Sequence, residues 1–263
     1  MVADFVFRFD SPVVATAIHN GHQLSDDFAR TIGVGEPTRL REEDPFTDFF
    51  TFVASNRVVG RYSRFMVDLN RPWRGAVYRK PEDAWGLPVR TEPVNRTMQA
   101  EARQMYDAFY RRTRLMIDEL LRVHPRVFVF DLHSYNHRRG GPGAQPDDPQ
   151  QNPEIILGTS NMPEAWRPLV QRVQADLLAF DFDGRSLDAR VDVKFTGGHF
   201  SQWLHATYRG RVGCIALEFK KIFMDEWSGE LDRPVRAQLR EALAGTVPGI
   251  LHWLRNDAPP LSV

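Results

Sequence analysis

The sequence predicts one α/β domain, a largely parallel or mixed sheet with helices on both faces, and three observations lead there. The chain has 263 residues, 42% of them hydrophobic and 26% charged, enough to bury a full core at a length where α/β folds are commonly one domain. Short β-rich apolar runs alternate with helical patterns along it. No internal repeat and no linker divides it, so residues 1–263 are expected to fold as a unit.

Taken in chain order, "PVVATAI" (12–18) reads as the first strand. "SRFMVDLNRP" (63–72) reads as a strand with one polar face, because Phe65, Val67 and Leu69 alternate with polar neighbours before Pro72 bends the chain. Residues 95–123 read as the clearest helix. Met98, Ala102, Met105, Phe109, Met116 and Leu120 recur there at helical spacing, and His124-Pro125 stops it. "RVFVFDL" (126–132) follows as a strand. "NHRRGGPGAQPDDPQQNP" (136–153) is poor in apolar residues and rich in Gly and Pro, so it is a loop. A long loop directly after a strand is more often a functional lid than a connector. Strands are then expected at "EIILGT" (154–159), "RVDVKF" (190–195) and "GCIALEF" (213–219), with helices near 163–180 and 232–255.

The formal net charge is zero, so no global field draws the chain to nucleic acid or to an anionic membrane. Lysine occurs only at 80, 194, 220 and 221; the other basic residues are arginine. The lone Cys214 excludes an internal disulfide framework, fits a reducing compartment, and lies in the apolar "GCIAL" as a buried structural thiol. "MVADFVFRFD" carries an acid where a secretory leader would be basic, and no apolar run is long enough for a bilayer. A cytoplasmic placement is expected.

Ligands of open α/β sheets bind at the carboxyl ends of the strands. "TAIHNGH" brings His19 to one such end, "FVFDLHS" brings His133 to another, and "GCIALEFKK" carries Glu218 near a third. Alone, each is more often a satisfied polar residue. Together they are what a catalytic Zn²⁺ site needs: imidazole ligands, an open position, and a separate carboxylate as base. The third ligand is His22, three residues after His19, or a carboxylate from "RLREEDPFTDFF" (39–50), which holds Glu42, Glu43, Asp44 and Asp48. Arg64, Asp68, Asn70 and Arg71 crowd the 63–72 segment. Arginine binds carboxylates bidentately, so Arg71 suits a substrate carboxylate and Arg64 a developing oxyanion. Asp131 is placed to orient His133.

The order of the His-x-Gly turn, the acidic D-x-x-x-D segment, "SRFMVDLNR", "DLHS", "GGH" (197–199) and "IALEFKK" resembles the N-formylglutamate amidohydrolase family over about residues 13–229. "SRFMVDLNR" and "DLHS" are the most specific of these elements. The resemblance implies a twisted mixed sheet similar to that of zinc carboxypeptidases and aspartoacylases. It implies His19 and His133 as zinc ligands, Arg64 as carbonyl polariser, Asn70 and Arg71 as a carboxylate clamp, and Glu218 as the base. Where the carboxypeptidase-like group has His-x-x-Glu, this chain reads His19-Asn20-Gly21-His22. The family keeps an acid downstream that by spacing falls on Asp44, which leaves the third ligand between His22 and the acids at 42–44. His199, after Thr196-Gly197-Gly198, is expected to line the pocket. The expected activity is zinc-dependent hydrolysis of the amide C–N bond of an N-acyl (N-formyl) amino acid or short peptide with a free carboxylate. Cleavage of longer C-termini is the alternative among enzymes. A non-catalytic metal- or carboxylate-binding protein is the alternative outside them, and Glu218 argues against it. The segments "EDPFTD" (43–48), 77–90 and 219–230 look like those of a divergent branch whose substrate need not be formylglutamate.

Overall fold

A computed structural model describes residues 1–260. The strands are β1 (Ala3–Val6), β2 (Val13–Ala17), β3 (Asn56–Gly60), β4 (Val127–Tyr135), β5 (Ile155–Gly158), β6 (Asp181–Phe182), β7 (Arg185–Ser186), β8 (Ala189–Val191) and β9 (Val212–Lys220). The helices are α1 (Asp26–Thr31), α2 (Glu36–Glu42), α3 (Arg96–Val123), α4 (Arg167–Leu178), α5 (His199–Tyr208) and α6 (Arg233–Asn256). Seven strands form one sheet in the order β1-β3-β2-β4-β9-β5-β8, and β6 and β7 form a separate small hairpin. Four neighbouring pairs in the main sheet are parallel; β1–β3 and β5–β9 are antiparallel. The chain is thus a single α/β domain with a mixed, mostly parallel sheet flanked by helices.

The two-residue period of a strand sorts the core into two layers. Phe128, Phe130 and Leu132 of β4 and Ile215, Leu217 and Phe219 of β9 pack with α4 and α6 residues such as Leu169, Val173, Leu239 and Trp253. Val127 and Val129 of β4 and Val212 and Cys214 of β9 join α3 and α5 through Phe109, Met116, Phe200 and Leu204. Continuing the second series along each strand reaches Asp131 and His133 on β4 and Ala216 and Glu218 on β9. His133 and Glu218 are paired across the parallel β4–β9 ladder, so both project from one face where the apolar series has run out.

The expected strands at 12–18, 126–132, 154–159 and 213–219 match β2, β4, β5 and β9, and α3, α4 and α6 fill the expected helical stretches. Two expectations fail. Residues 63–72 form turns rather than a strand: Phe65, Met66, Val67 and Leu69 are all buried, and Ser63 accepts from Phe65 N through its hydroxyl (3.1 Å) and from Met66 N through its carbonyl (2.9 Å). The strand expected at 190–195 stops at Val191, because Asp192 takes a left-handed conformation (φ 53°) and its carboxylate accepts from the Thr159 backbone N–H (2.8 Å) and hydroxyl (2.6 Å). Residues 136–153 hold no helix or strand, as expected of a loop. Cys214 is buried and unpaired. Among the described residues, no helix is long and apolar enough to cross a membrane.

Candidate metal and catalytic site

His19 lies two residues beyond β2, where the chain turns back beneath Tyr62. A Cβ on Gly21 would come within 2.6 Å of Tyr62 backbone atoms, so the turn requires glycine. The Asp44 backbone N–H donates to the His19 carbonyl (3.1 Å), which brings the end of α2 over the sheet edge. His133 arrives from β4. The result is a buried trio of His19, Asp44 and His133 whose potential ligand atoms all lie within 4.8 Å of one another.

Each imidazole has a carboxylate behind it. His19 Nε2 donates to Asp68 Oδ1 (2.7 Å), and His133 Nε2 lies 3.0 Å from Asp131 Oδ2. Both rings turn Nδ1 inward: His133 Nδ1 is 3.0 Å and His19 Nδ1 3.5 Å from Asp44 Oδ2. The other Asp44 oxygen accepts from the Ser134 hydroxyl (3.3 Å). His19 Nδ1 is buried and has no hydrogen-bond partner, an orphan that a bound ion would satisfy. With its proton held on the Asp68 side, that nitrogen presents a lone pair. A tetrahedral ion with ~2.1 Å bonds separates its ligand atoms by about 3.4 Å, close to the two histidine–Asp44 spacings of 3.0 and 3.5 Å. The donor set therefore fits a divalent metal.

The electrostatics follow from burial and neighbours. Burial pulls the pKa of His133 down, but Asp131, Asp44 and Glu218 outweigh it and raise the value well above the ordinary histidine range. Burial pushes Asp44 up, and the two histidines reverse this and hold it low. Asp68 likewise resists burial and stays well below the carboxylate range, held there by Arg64 and His19. Glu218 goes the other way. Burial, with repulsion from Asp44 and Asp131, pushes it up to about 7 against the pull of His133 and Arg64. A carboxylate with proton affinity near neutrality is suited to general base work.

A cavity of about 370 Å³ opens on the trio, lined by His19, Asp44, His133, Glu218, Arg64 and Asn70 among others. Arg64 is held by Asp68 (Nη2–Oδ2 3.0 Å) and the Tyr78 hydroxyl (Nε–O 3.2 Å), and Tyr78 also donates to Asp68. Asn70 has a structural task as well. Its carbonyl accepts from His199 N (3.1 Å) and its side-chain oxygen from Phe200 N (2.9 Å), capping α5. A Cβ on Gly198 would fall 2.3 Å from that amide, which accounts for glycine in the "GGH" element.

Four expected candidates, His22, Glu43, Arg71 and His199, lie outside both the trio and the cavity lining. His22 is bonded to Glu43 through Nδ1, and Arg39 donates to its Nε2 (2.8 Å); Glu43 further accepts from Ser63. Neither His22 nor Glu43 belongs to the metal-ligand trio. Glu42 lines the cavity but is engaged by Arg41 and Arg139. Arg71 does not line the cavity; its Nε is 3.4 Å from Asp68 Oδ2 and its guanidinium covers the Tyr78 ring at 4.6 Å. His199 is also absent from the lining and packs its ring toward Tyr110 (5.8 Å).

Sequence reasoning gave no role to Asp68, Tyr78 or Lys221. Asp68 lay in view within the crowded 63–72 segment. Lys221 is 1% exposed and its ammonium donates to the carbonyls of Arg41 (2.5 Å) and Glu43 (2.9 Å), fixing the chain just before Asp44. Burial lowers its pKa to about 8 despite nearby Asp44, Glu42 and Glu226. Its signal was the second lysine of "EFKK" in a chain with few lysines.

The sequence matches the N-formylglutamate amidohydrolase family over residues 11–224. The chain belongs to this family. Its membership supports a hydrolase acting on an amide bond. No curated protein matches the sequence. Among solved structures the fold is similar to an N-formylglutamate amidohydrolase from Ralstonia eutropha JMP134, with a TM-score of 0.75, 15% identity, and coverage of 97% of this chain and 98% of that one. It is also similar to the gene product Atu2144 of Agrobacterium tumefaciens, with a TM-score of 0.66, 17% identity and coverage of 95% and 96%.

Proposed function

We propose that this member of the family is a zinc-dependent amidohydrolase that cleaves the amide bond of a small N-acyl amino acid, N-formyl compounds foremost, bearing a free carboxylate. One observation carries the reading: the orphaned Nδ1 of buried His19 faces Asp44 and His133 on the wall of a cavity that Glu218 also lines. His19, Asp44 and His133 would hold the ion. When bound, it supplies Lewis acidity that polarises the scissile carbonyl and draws the pKa of water towards ~7. A structure solved under the name N-formylglutamate amidohydrolase shares the fold, and the cavity volume suits a small ligand rather than a long peptide.

The protein's own groups supply the remaining chemistry. Glu218 takes a proton from the attacking water and passes it to the leaving nitrogen, so one water is consumed and a carboxylate and an amine are released. Arg64, already fixed by Asp68 and Tyr78, offers N–H donors to the oxygen that gains charge as the carbonyl carbon becomes tetrahedral. Asp68 and Asp131 keep the imidazoles oriented. The test is zinc content together with hydrolysis of N-formyl and N-acetyl amino acids by loaded and chelated protein. About one zinc per chain and chelator-sensitive release of the free amine are expected; hydrolysis unaffected by complete removal of metal would overturn the reading.

A further inference from the structure

If the substrate carries a free carboxylate, some cation in the cavity must receive it, and most of the cations there are already engaged. Arg64 is paired with Asp68, and Arg41 and Arg139 share Glu42 at 3.3 and 3.0 Å. Lys221 is buried against two carbonyls. Arg71 is drawn to Asp68 and Tyr78 outside the lining. Lys194 differs from all of these. It lines the cavity, and its ammonium donates to a neutral partner, the side-chain oxygen of Asn152, at 2.6 Å. Among the described residues it makes no ion pair.

Lys194 is exposed, but its ammonium is held by named contacts. Asn152 is 4% exposed and its own amide nitrogen donates to the Asp148 carbonyl (2.9 Å), so its oxygen is fixed as an acceptor. The ammonium lies 5.0 Å from the Tyr135 ring centre and 5.6 Å from that of Phe195, within reach of cation–π attraction. Two of its three N–H donors remain for a ligand. The break in the chain at Asp192, which ends β8 early, is what releases residue 194 from the sheet to line the cavity.

We propose that Lys194 is a specificity-determining residue that receives one carboxylate of the substrate, on the Tyr135–Phe195 side of the cavity rather than beside Arg71. The proposal rests on the amidohydrolase reading for the identity of the ligand. A charge-assisted hydrogen bond contributes about 10-fold in affinity over its neutral counterpart.

Three probes isolate it: N-formyl-L-glutamate, N-formyl-L-glutamine with the side-chain carboxylate masked, and N-formyl-L-isoglutamine with the α-carboxylate masked. Their dissociation constants are measured by calorimetry on zinc-loaded protein carrying Glu218→Gln, so that bound probes persist. One monoamide should bind about 10-fold more weakly than the diacid. Adding Lys194→Met should abolish that penalty, whereas Lys194→Arg and Arg71→Met should each preserve most of it. A penalty that survives Lys194→Met, or three probes that bind alike, overturns the proposal. Hydrolysis by the unmutated protein is assayed in parallel. If it cleaves none of the probes while the Lys194-dependent penalty persists, the hydrolase reading fails and the subsite stands.

Discussion

Two places in this molecule bury histidine, and their surroundings differ in kind. His205 of α5 is 3% exposed and meets only neutral groups: Nδ1 faces the Ser160 carbonyl (3.1 Å) and the Asn161 side-chain oxygen (3.0 Å), while Nε2 accepts from the Cys214 backbone N–H (2.9 Å). Every ring nitrogen is satisfied, and burial lowers its pKa to about 4. His19 and His133 are equally buried but ringed by carboxylates, with one nitrogen left orphaned. A fully satisfied neutral ring belongs to the architecture. A ring oriented by an acid, with its other nitrogen facing a second donor set, is arranged for a ligand. Burial alone does not distinguish the two; the complement of partners does.

The largest effect should come from breaking the carboxylate-ringed pair. His19→Ala and His133→Ala should each weaken zinc binding well beyond the ~10–100-fold range of an outer-partner change and remove hydrolysis, while His205→Ala keeps zinc affinity near that of the unmutated protein. Competition with a chelator of known affinity measures all three, and equal losses across them would erase the distinction. Next, Glu218→Gln should keep zinc content and lower kcat by ~10²–10⁴-fold, read by amine release. If kcat hardly changes, Glu218 is not the base. Removing the orienting charges by Asp68→Asn or Asp131→Asn should reduce zinc affinity by about 10–100-fold. An unchanged affinity would show that the inward-facing nitrogens need no carboxylate behind them.

A smaller effect concerns the neutral ring. With a folded pKa of about 4 against an ordinary 6.5, the unfolded chain takes up a proton on this residue before the folded one does. The stability that His205 contributes is therefore intact above about pH 6.5 and declines as pH falls towards 4, by about 2 kcal/mol between pH 7 and pH 5. Urea unfolding of the unmutated protein and of His205→Gln at both pH values should show that share of the acid-side loss disappearing in the variant. The smallest effect is expected at His22, whose partners are Glu43 and Arg39. His22→Ala should change zinc affinity by less than about 10-fold, and loss of the metal would move the third ligand from Asp44 to His22.

The strands that carry the site were legible because buried parallel strands are near-continuous apolar runs, and "RVFVFDL" and "GCIALEF" have no competing reading. Helix α3 was legible from its stripe of buried residues. What escaped was decided by contacts distant in sequence. Edge strand β1 is short and half-covered, and β3 ends in Gly60, whose Cβ would strike the Ile18 carbonyl at 2.4 Å. The 63–72 segment mimics a strand because its apolar residues fall at alternate positions, yet Ser63 winds it into turns that bury Met66 as well. His19, His133 and Glu218 could be singled out because each stands at the end of an apolar run. That Asn70 caps α5, or that Arg71 turns away from the cavity while Lys194 lines it, depends on partners in other elements, and no local pattern records them.

The pairing of His133 with Glu218 across β4 and β9 makes the folding of the sheet a matter of fidelity as well as stability. A slip of one residue between these strands would leave much of the apolar ladder able to pair, but it would send one of the two side chains to the opposite face, among Phe130, Leu132 and Leu217. The misaligned chain would bury an uncompensated charge there and be penalised at once. The polar ends of β4 and β9 thus disfavour a slipped strand alignment energetically, so the same two side chains that build the site also help to fix the register of the sheet.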